Sequence, residues 1–172
     1  MNPDLDFIFK RRSVRKYTGK AVPKEMLQDL LEAAMAAPSA KATDPWHFIV
    51  ITERETLDKM AAALPNGKML LAAPVSILVC GDMTRALEGF ESYMLQDVSA
   101  AVENILLAAF ALGLGSCWLG IHPRRGRMDA MRNLFKLPDH IIPAAGIALG
   151  WADDFPAART RYREACVHKE AW

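Results

Sequence analysis

Between Lys10 and Lys20 the chain reads KRRSVRKYTGK, with six basic residues in eleven and no acidic one. Guanidinium groups bind phosphate oxygens through paired N–H donors, and the Ser13 hydroxyl adds a further donor, so this run is a candidate anion site. Its competing readings are a solvated basic face or a nucleic-acid patch. The net charge of +1, with Tyr17 the sole aromatic residue in the run, argues against nucleic acid. A second basic group, Arg159-Thr160-Arg161-Tyr162-Arg163, lies near the other end of the chain. In an extended segment alternate residues face the same way, so its arginines share one side, as a second hand on an anion requires.

Two further stretches can present backbone and hydroxyl groups to a flat ligand. From Ala37 to Phe48 the sequence APSAKATDPWHF fixes an irregular loop between a helix and a strand, with Pro38 and Pro45 restricting it. The plainer reading is a rigid connection with Trp46 in the core and His47 as an ordinary half-buried histidine. From Gly113 to Gly120 the sequence GLGSCWLG follows a helix and enters a strand. That order is the reverse of a phosphate-cradling turn, so it is neither a dinucleotide fingerprint nor a P-loop. Cys117 lies in the apolar strand with no arranged base, and a catalytic thiol is not expected. Cys80, Cys117 and Cys166 are odd in number and far apart. They suggest neither a disulfide framework nor a metal site, and a reducing, cytoplasmic compartment suits them. No Ser-His-Asp constellation is visible.

The elements that must position these residues follow from pattern. At 172 residues, 52% hydrophobic and 24% charged, the chain suits one continuous domain over 1–172 and excludes disordered, collagen-like and coiled-coil classes. Pro23 opens a helix to Ala37 with apolar residues at helical spacing, and Pro38 stops it. Strands are expected over 46–52, 74–80, 116–121 and 141–149, and helices over 54–64, 92–112 and 128–135. The 92–112 helix is apolar almost all round, interrupted by Gln96, Asp97, Glu103 and Asn104, which places it at the centre of a domain or a dimer. Residues 104–123 carry no formal charge, yet the pattern changes from helical to extended at Gly113, so no membrane span is expected. Phe7-Ile8-Phe9 is too short for a signal peptide. The segment 157–172 has no helix signal and reads as an arm laid on another surface.

The ordered set of RRSVRKY, APS-x5-PWHF, GLGSCWLG, R-T-R and a terminal VHKEAW resembles the nitroreductase family of FMN-dependent oxidoreductases, over nearly the whole chain. The resemblance implies an α+β fold with a central mixed β-sheet flanked by helices. It also implies an intimate, domain-swapped homodimer with two FMN sites at the interface and an exchanged C-terminal arm. By similarity, Arg11, Arg12, Ser13 and Arg15 hold the FMN phosphate, ribityl chain and N1/O2 edge. Pro38, Ser39 and Ala40 come from the other subunit and lie against the isoalloxazine. Lys68, with Asn66, approaches the pyrimidine side; Trp118, Leu119 and Gly120 offer backbone contacts near the ring; Arg159 and Arg161 return to the phosphate. No catalytic side chain and no metal are implied, because the hydride chemistry belongs to the flavin.

Two positions depart from the family pattern P-S-x-x-N-x-Q-P-W: Ala42 stands for the usual Asn and Asp44 for the usual Gln. The implied activity is hydride transfer from NADH or NADPH through FMN to a small organic acceptor, such as a nitroaromatic or quinone, by a ping-pong mechanism. The alternatives are another flavin chemistry on the same fold, namely dehydrogenation, dehalogenation or flavin turnover, or a flavin-binding protein without turnover. Neither nucleic acid nor membrane is an expected partner.

Overall fold

The computed structural model describes residues 2–158 and 160–172; Arg159, one of the expected phosphate contacts, lies outside the described residues. Four strands form one sheet: β1 (Trp46–Ile51), β2 (Val75–Asp82), β3 (Gly115–Gly120) and β4 (Ile141–Gly150), in the spatial order β1-β2-β4-β3. All three pairings are antiparallel. This corrects the expected mixed sheet. Among the described residues the parallel component is a single bridge, Ser13 to Ser116, where the Val14 amide donates to the Ser116 carbonyl at 2.9 Å. Val14 and Tyr17, which follow the bridge, are buried in the core.

The two inner strands are covered on both faces, as their unbroken apolar runs require. On one face Val75, Ile77 and Val79 of β2 pack with the helices α2 (Lys24–Met35) and α4 (Glu91–Ala111). On the other, Leu78 and Cys80 pack with α3 (Arg54–Ala63) and α5 (Arg125–Phe135). Leu27, Leu30 and Ala34 of α2 lie one helical turn apart and are buried, which is the stripe its sequence spacing calls for. The helix α1 (Asp6–Lys10) was not anticipated; five residues carry too little periodicity, and its Asp6–Lys10 pair at 2.5 Å spans a single turn.

Helix α4 is long and apolar enough to cross a membrane by length and composition alone. Here it crosses the sheet and packs along α2, with Met94, Val98, Ala101, Val102, Ile105 and Ala109 buried and the Asn104 amide donating to the Ala33 carbonyl at 2.9 Å. It stops where the sequence says it must. Gly113 takes a φ of 77°, its amide reaches Phe110 O at 3.0 Å, and the Leu114 amide reaches Ala109 O at 2.7 Å. That pair of bonds is the Schellman ending, for which a left-handed glycine is the favoured residue. The uncharged stretch 104–123 is thus a helix end followed by β3.

Candidate functional site

The Arg11–Arg15 run begins where α1 ends and is pinned to the edge of β3 by the Ser13–Ser116 bridge. Tyr17 anchors its far side, with its hydroxyl donating to Val14 O at 2.8 Å and lying 3.2 Å from Ala148 O. Burial raises the Tyr17 hydroxyl far above its ordinary value, so it stays protonated and acts as a donor. Arg11 and Arg12 face a cleft of about 540 Å3 together with Ser13, Thr160, Arg161 and Tyr162, and among the described residues no acidic side chain lines it. Arg12 donates to the Ala157 carbonyl and Arg11 lies 3.6 Å from Glu103, so the run is tied both to the start of the arm and to α4.

Arg15 looks into a second, larger cleft of about 690 Å3, which also takes in Asn66, Lys68, Trp118, Leu119 and Gly120. Its walls come from separate parts of the chain. Pro65-Asn66-Gly67 follows the end of α3, where the Gly67 amide donates to Leu64 O at 2.8 Å. A 3-10 turn, Lys68–Leu71, then carries Lys68 outward while Leu70 is fully buried. The third wall is β3 itself. Trp118 is 40% exposed in the cleft, and Gly120 keeps its backbone open there, its carbonyl accepting from Arg127 Nη1 at 2.7 Å. Cys117 also borders this space. Burial pushes its thiol up, against Arg15, Ser13 and Arg11 acting to lower it, which disfavours the thiolate.

Pro38, Ser39 and Ala40 line neither cleft. They open a loop in which Lys41, Ala42 and Asp44 take φ values of 49°, 53° and 47°, left-handed backbone without glycine. Ser39 and Asp44 close on each other: the Ser39 hydroxyl donates to Asp44 Oδ1 at 2.5 Å and accepts the Asp44 amide at 3.1 Å. The aspartate that replaces the expected Gln is therefore spent on fixing Ser39. Arg85 clamps the far end by donating twice to Thr43 O, at 3.0 and 2.9 Å.

Of the expected site residues, the tertiary structure gathers Arg11, Arg12, Ser13 and Arg161 into one cleft and Arg15, Asn66, Lys68, Trp118, Leu119 and Gly120 into the other. Pro65, Met69, Thr160 and Tyr162 border the same clefts and were not singled out by sequence. Asp97 was noted only as a break in an apolar helix. It is 5% exposed and accepts the Ala40 amide at 2.9 Å. A charged residue in an all-round apolar helix is the signal that marked it.

The nitroreductase family signature matches residues 8–151. A protein of Methanothermobacter thermautotrophicus with the provisional name NADH dehydrogenase/NAD(P)H nitroreductase is 44% identical over 168 residues, spanning 98% of this chain and 87% of that one. A crystal structure from Bacteroides thetaiotaomicron, with the same provisional name, is 42% identical with a TM-score of 0.93 and covers 100% of this chain and 99% of that one. The FMN-dependent nitroreductase of Clostridium difficile R20291 is 30% identical with a TM-score of 0.86, covering 98% of this chain and 99% of that one.

Proposed function

The chain belongs to the nitroreductase family, and from that premise we propose that it is an NAD(P)H-dependent FMN oxidoreductase. The observation that carries this reading is the Arg11–Arg15 run lying between two clefts. Arg11, Arg12 and Ser13 face one with Arg161, and Arg15 faces the other with Lys68 and Trp118. A ligand with a phosphate at one end and a planar ring at the other fits that division. At about 690 Å3 the ring-side cleft is also of ordinary ligand size.

In this reading the guanidinium groups of Arg11, Arg12 and Arg161 bind the phosphate and the Ser13 hydroxyl donates to it. Arg15 and Lys68 set positive charge at the ring edge, where burial under a partner subunit makes it count for more than in water. The open backbone of Gly120 allows close approach of the ring, and Trp118 gives it an apolar wall. FMN, when bound, accepts a hydride from NADH or NADPH and passes electrons to a small organic acceptor. A ping-pong order suits one ring-side cleft serving both substrates in turn, and nitroaromatics and quinones are the acceptor class we assign. The three thiols are free, with Cys80 and Cys117 buried, which suits a reducing, cytoplasmic setting.

A homodimer completes the site. The described residues from 160 to 172 are all exposed, Tyr162 at 74% and Trp172 fully, so beyond the cleft-lining Thr160, Arg161 and Tyr162 the described arm buries no side chain within its own chain. Pro38–Ala40 likewise lie away from both clefts and reach a ring only from a second copy. The experiment is direct. Purified protein loaded with FMN should be yellow, release FMN on denaturation, and bleach anaerobically on addition of NADH or NADPH. Release of FAD, or failure to take up FMN at all, would sink the flavin assignment; a flavin that neither nicotinamide bleaches would mark a binder without turnover.

A further inference from the structure

Asp97 is a carboxylate inside an apolar helix with very little to answer its charge. Oδ1 accepts the Ala40 amide at 2.9 Å, while Oδ2 is buried without a hydrogen-bond partner. The Thr43 hydroxyl, on the same Ser39–Asp44 loop, is the other such orphan among the described residues. Burying a charge on these terms is costly, and it persists where the group holds something that nothing else holds. What it holds is the entry to a strained loop. Lys41, Ala42 and Asp44 all sit in the left-handed region without being glycine, a conformation that survives only when the surroundings enforce it. Arg85 grips Thr43 and Ser39 grips Asp44, while the Ser39–Ala40 end is held from the helix by the Asp97 hydrogen bond.

We propose that Asp97 is a positioning residue for the flavin: through the Ala40 amide it sets Ser39 and Ala40 at the height from which they meet the isoalloxazine of the partner's site. This rests on the FMN reading above. It assigns to the long helix a role in cofactor binding beyond packing, and it explains why a charge is kept at a position where valine or alanine would otherwise suit the apolar surface.

The bond can be cut from either side. Asp97→Ala removes the acceptor. Ala40→Pro removes the donor and sets its ring Cδ where the amide hydrogen met Oδ1, so it also pushes the carboxylate away; the local backbone suits it, since Ala40 is the first residue of its 3-10 turn and Ser39 before it is extended at φ −136° and ψ 158°. Asp97→Asn keeps an acceptor for Ala40 and serves as rescue. Asn104→Ala, which cuts the bond from α4 to Ala33 O, controls for mere loss of helix stability. The measurements are FMN dissociation constants by fluorescence, the visible circular dichroism of bound flavin, and apoprotein melting.

Asp97→Ala and Ala40→Pro should each weaken FMN binding by on the order of tenfold, the cost of reordering on binding a loop that is no longer held in place. The double variant should be no worse than either, because both cut one bond. Asp97→Asn should stay within about threefold of wild type, and Asn104→Ala should lower melting without changing FMN affinity. If Asp97→Ala does not fold, Ala40→Pro and Asp97→Asn still decide. Additive effects, wild-type affinity in Asp97→Ala or Ala40→Pro, or an equal loss in Asn104→Ala overturns the proposal. Wild-type protein that takes up no FMN overturns the flavin reading instead, and this proposal with it.

Discussion

Val14 and Gly115 are in contact so close that a Cβ placed on the glycine would lie 2.7 Å from Val14 Cγ1. Val14 is 1% exposed and cannot swing away. The glycine therefore sets the distance between β3, which lines the ring-side cleft, and the run that carries Arg11, Arg12 and Arg15. Gly115→Ala should push that run outward, costing about 1–3 kcal/mol of stability as overpacking does, a fall in melting temperature of a few degrees per kcal/mol. It should also weaken FMN binding. Adding Val14→Ala makes room and should restore part of the affinity. Binding unchanged in Gly115→Ala would show that the run is not held by this contact.

The two basic side chains Arg11 and Lys16 should behave oppositely. Arg11 lines the cleft it shares with Arg12 and Arg161, whereas Lys16 lines neither that cleft nor the one of Arg15 and Lys68 and is exposed, its carbonyl accepting the Asp153 amide at 3.2 Å. Arg11→Ala should weaken FMN binding about 10- to 150-fold and Lys16→Ala should leave it unchanged. Glu103, 3.6 Å from Arg11, competes for that guanidinium, so Glu103→Gln should hold FMN as tightly as wild type or tighter. Arg15→Ala and Lys68→Ala should lower the midpoint potential of bound FMN, read by anaerobic dye titration, because each removes positive charge that favours the reduced ring.

An acid-sensitive contribution to stability resides at Asp82. Burial alone would raise its carboxyl. The Thr84 hydroxyl and amide, together with His47 and the nearby charge of His140, outweigh burial and hold it below its ordinary value of 3.8. The Thr84 bonds are 2.6 and 2.8 Å, and His47 Nε2 lies 3.5 Å from Oδ2. A carboxylate lowered in the folded state adds stability above its unfolded pKa and loses it as the pH falls through the folded value. Wild type should therefore exceed Asp82→Asn in urea midpoint at about pH 6, with the gap closing below about pH 4. A gap that stays constant with pH would assign the stabilisation to shape rather than charge.

The arm gives a test of assembly. Light scattering at micromolar concentration should give about twice the chain mass of 19.0 kDa. Deleting residues 157–172 should weaken both the dimer and FMN binding, since the deletion removes Arg161 from the phosphate-side cleft and Ala157 from its bond with Arg12. A truncated chain that remains dimeric and binds FMN normally would remove the arm from the site.

Much of the fold was legible. The four strands and the helices α2 to α5 follow from period, proline and glycine placement, and the α4 ending at Gly113 follows from the need for a left-handed residue. Helix α1 escaped notice because one turn has no period to read. The expected mixed sheet failed because, among the described residues, the N-terminal segment meets β3 at a single parallel bridge, and pairing sense is a long-range matter that no local period encodes.

Sequence alone was enough to name the chemistry-bearing residue types and the elements that carry them, because charge runs, prolines, glycines and hydrophobic periods act over a few residues. Those local signals could not say that Lys68 and Trp118, fifty positions apart, share a cleft, which only the family resemblance implied, nor that Asp44 would be consumed in holding Ser39. They also could not separate Asp97 from Glu103, two acids on one apolar helix. The first meets a loop amide in the interior and the second meets Arg11 at the surface. Which acid is buried depends on which face of α4 the loop crosses, and only long-range packing decides that.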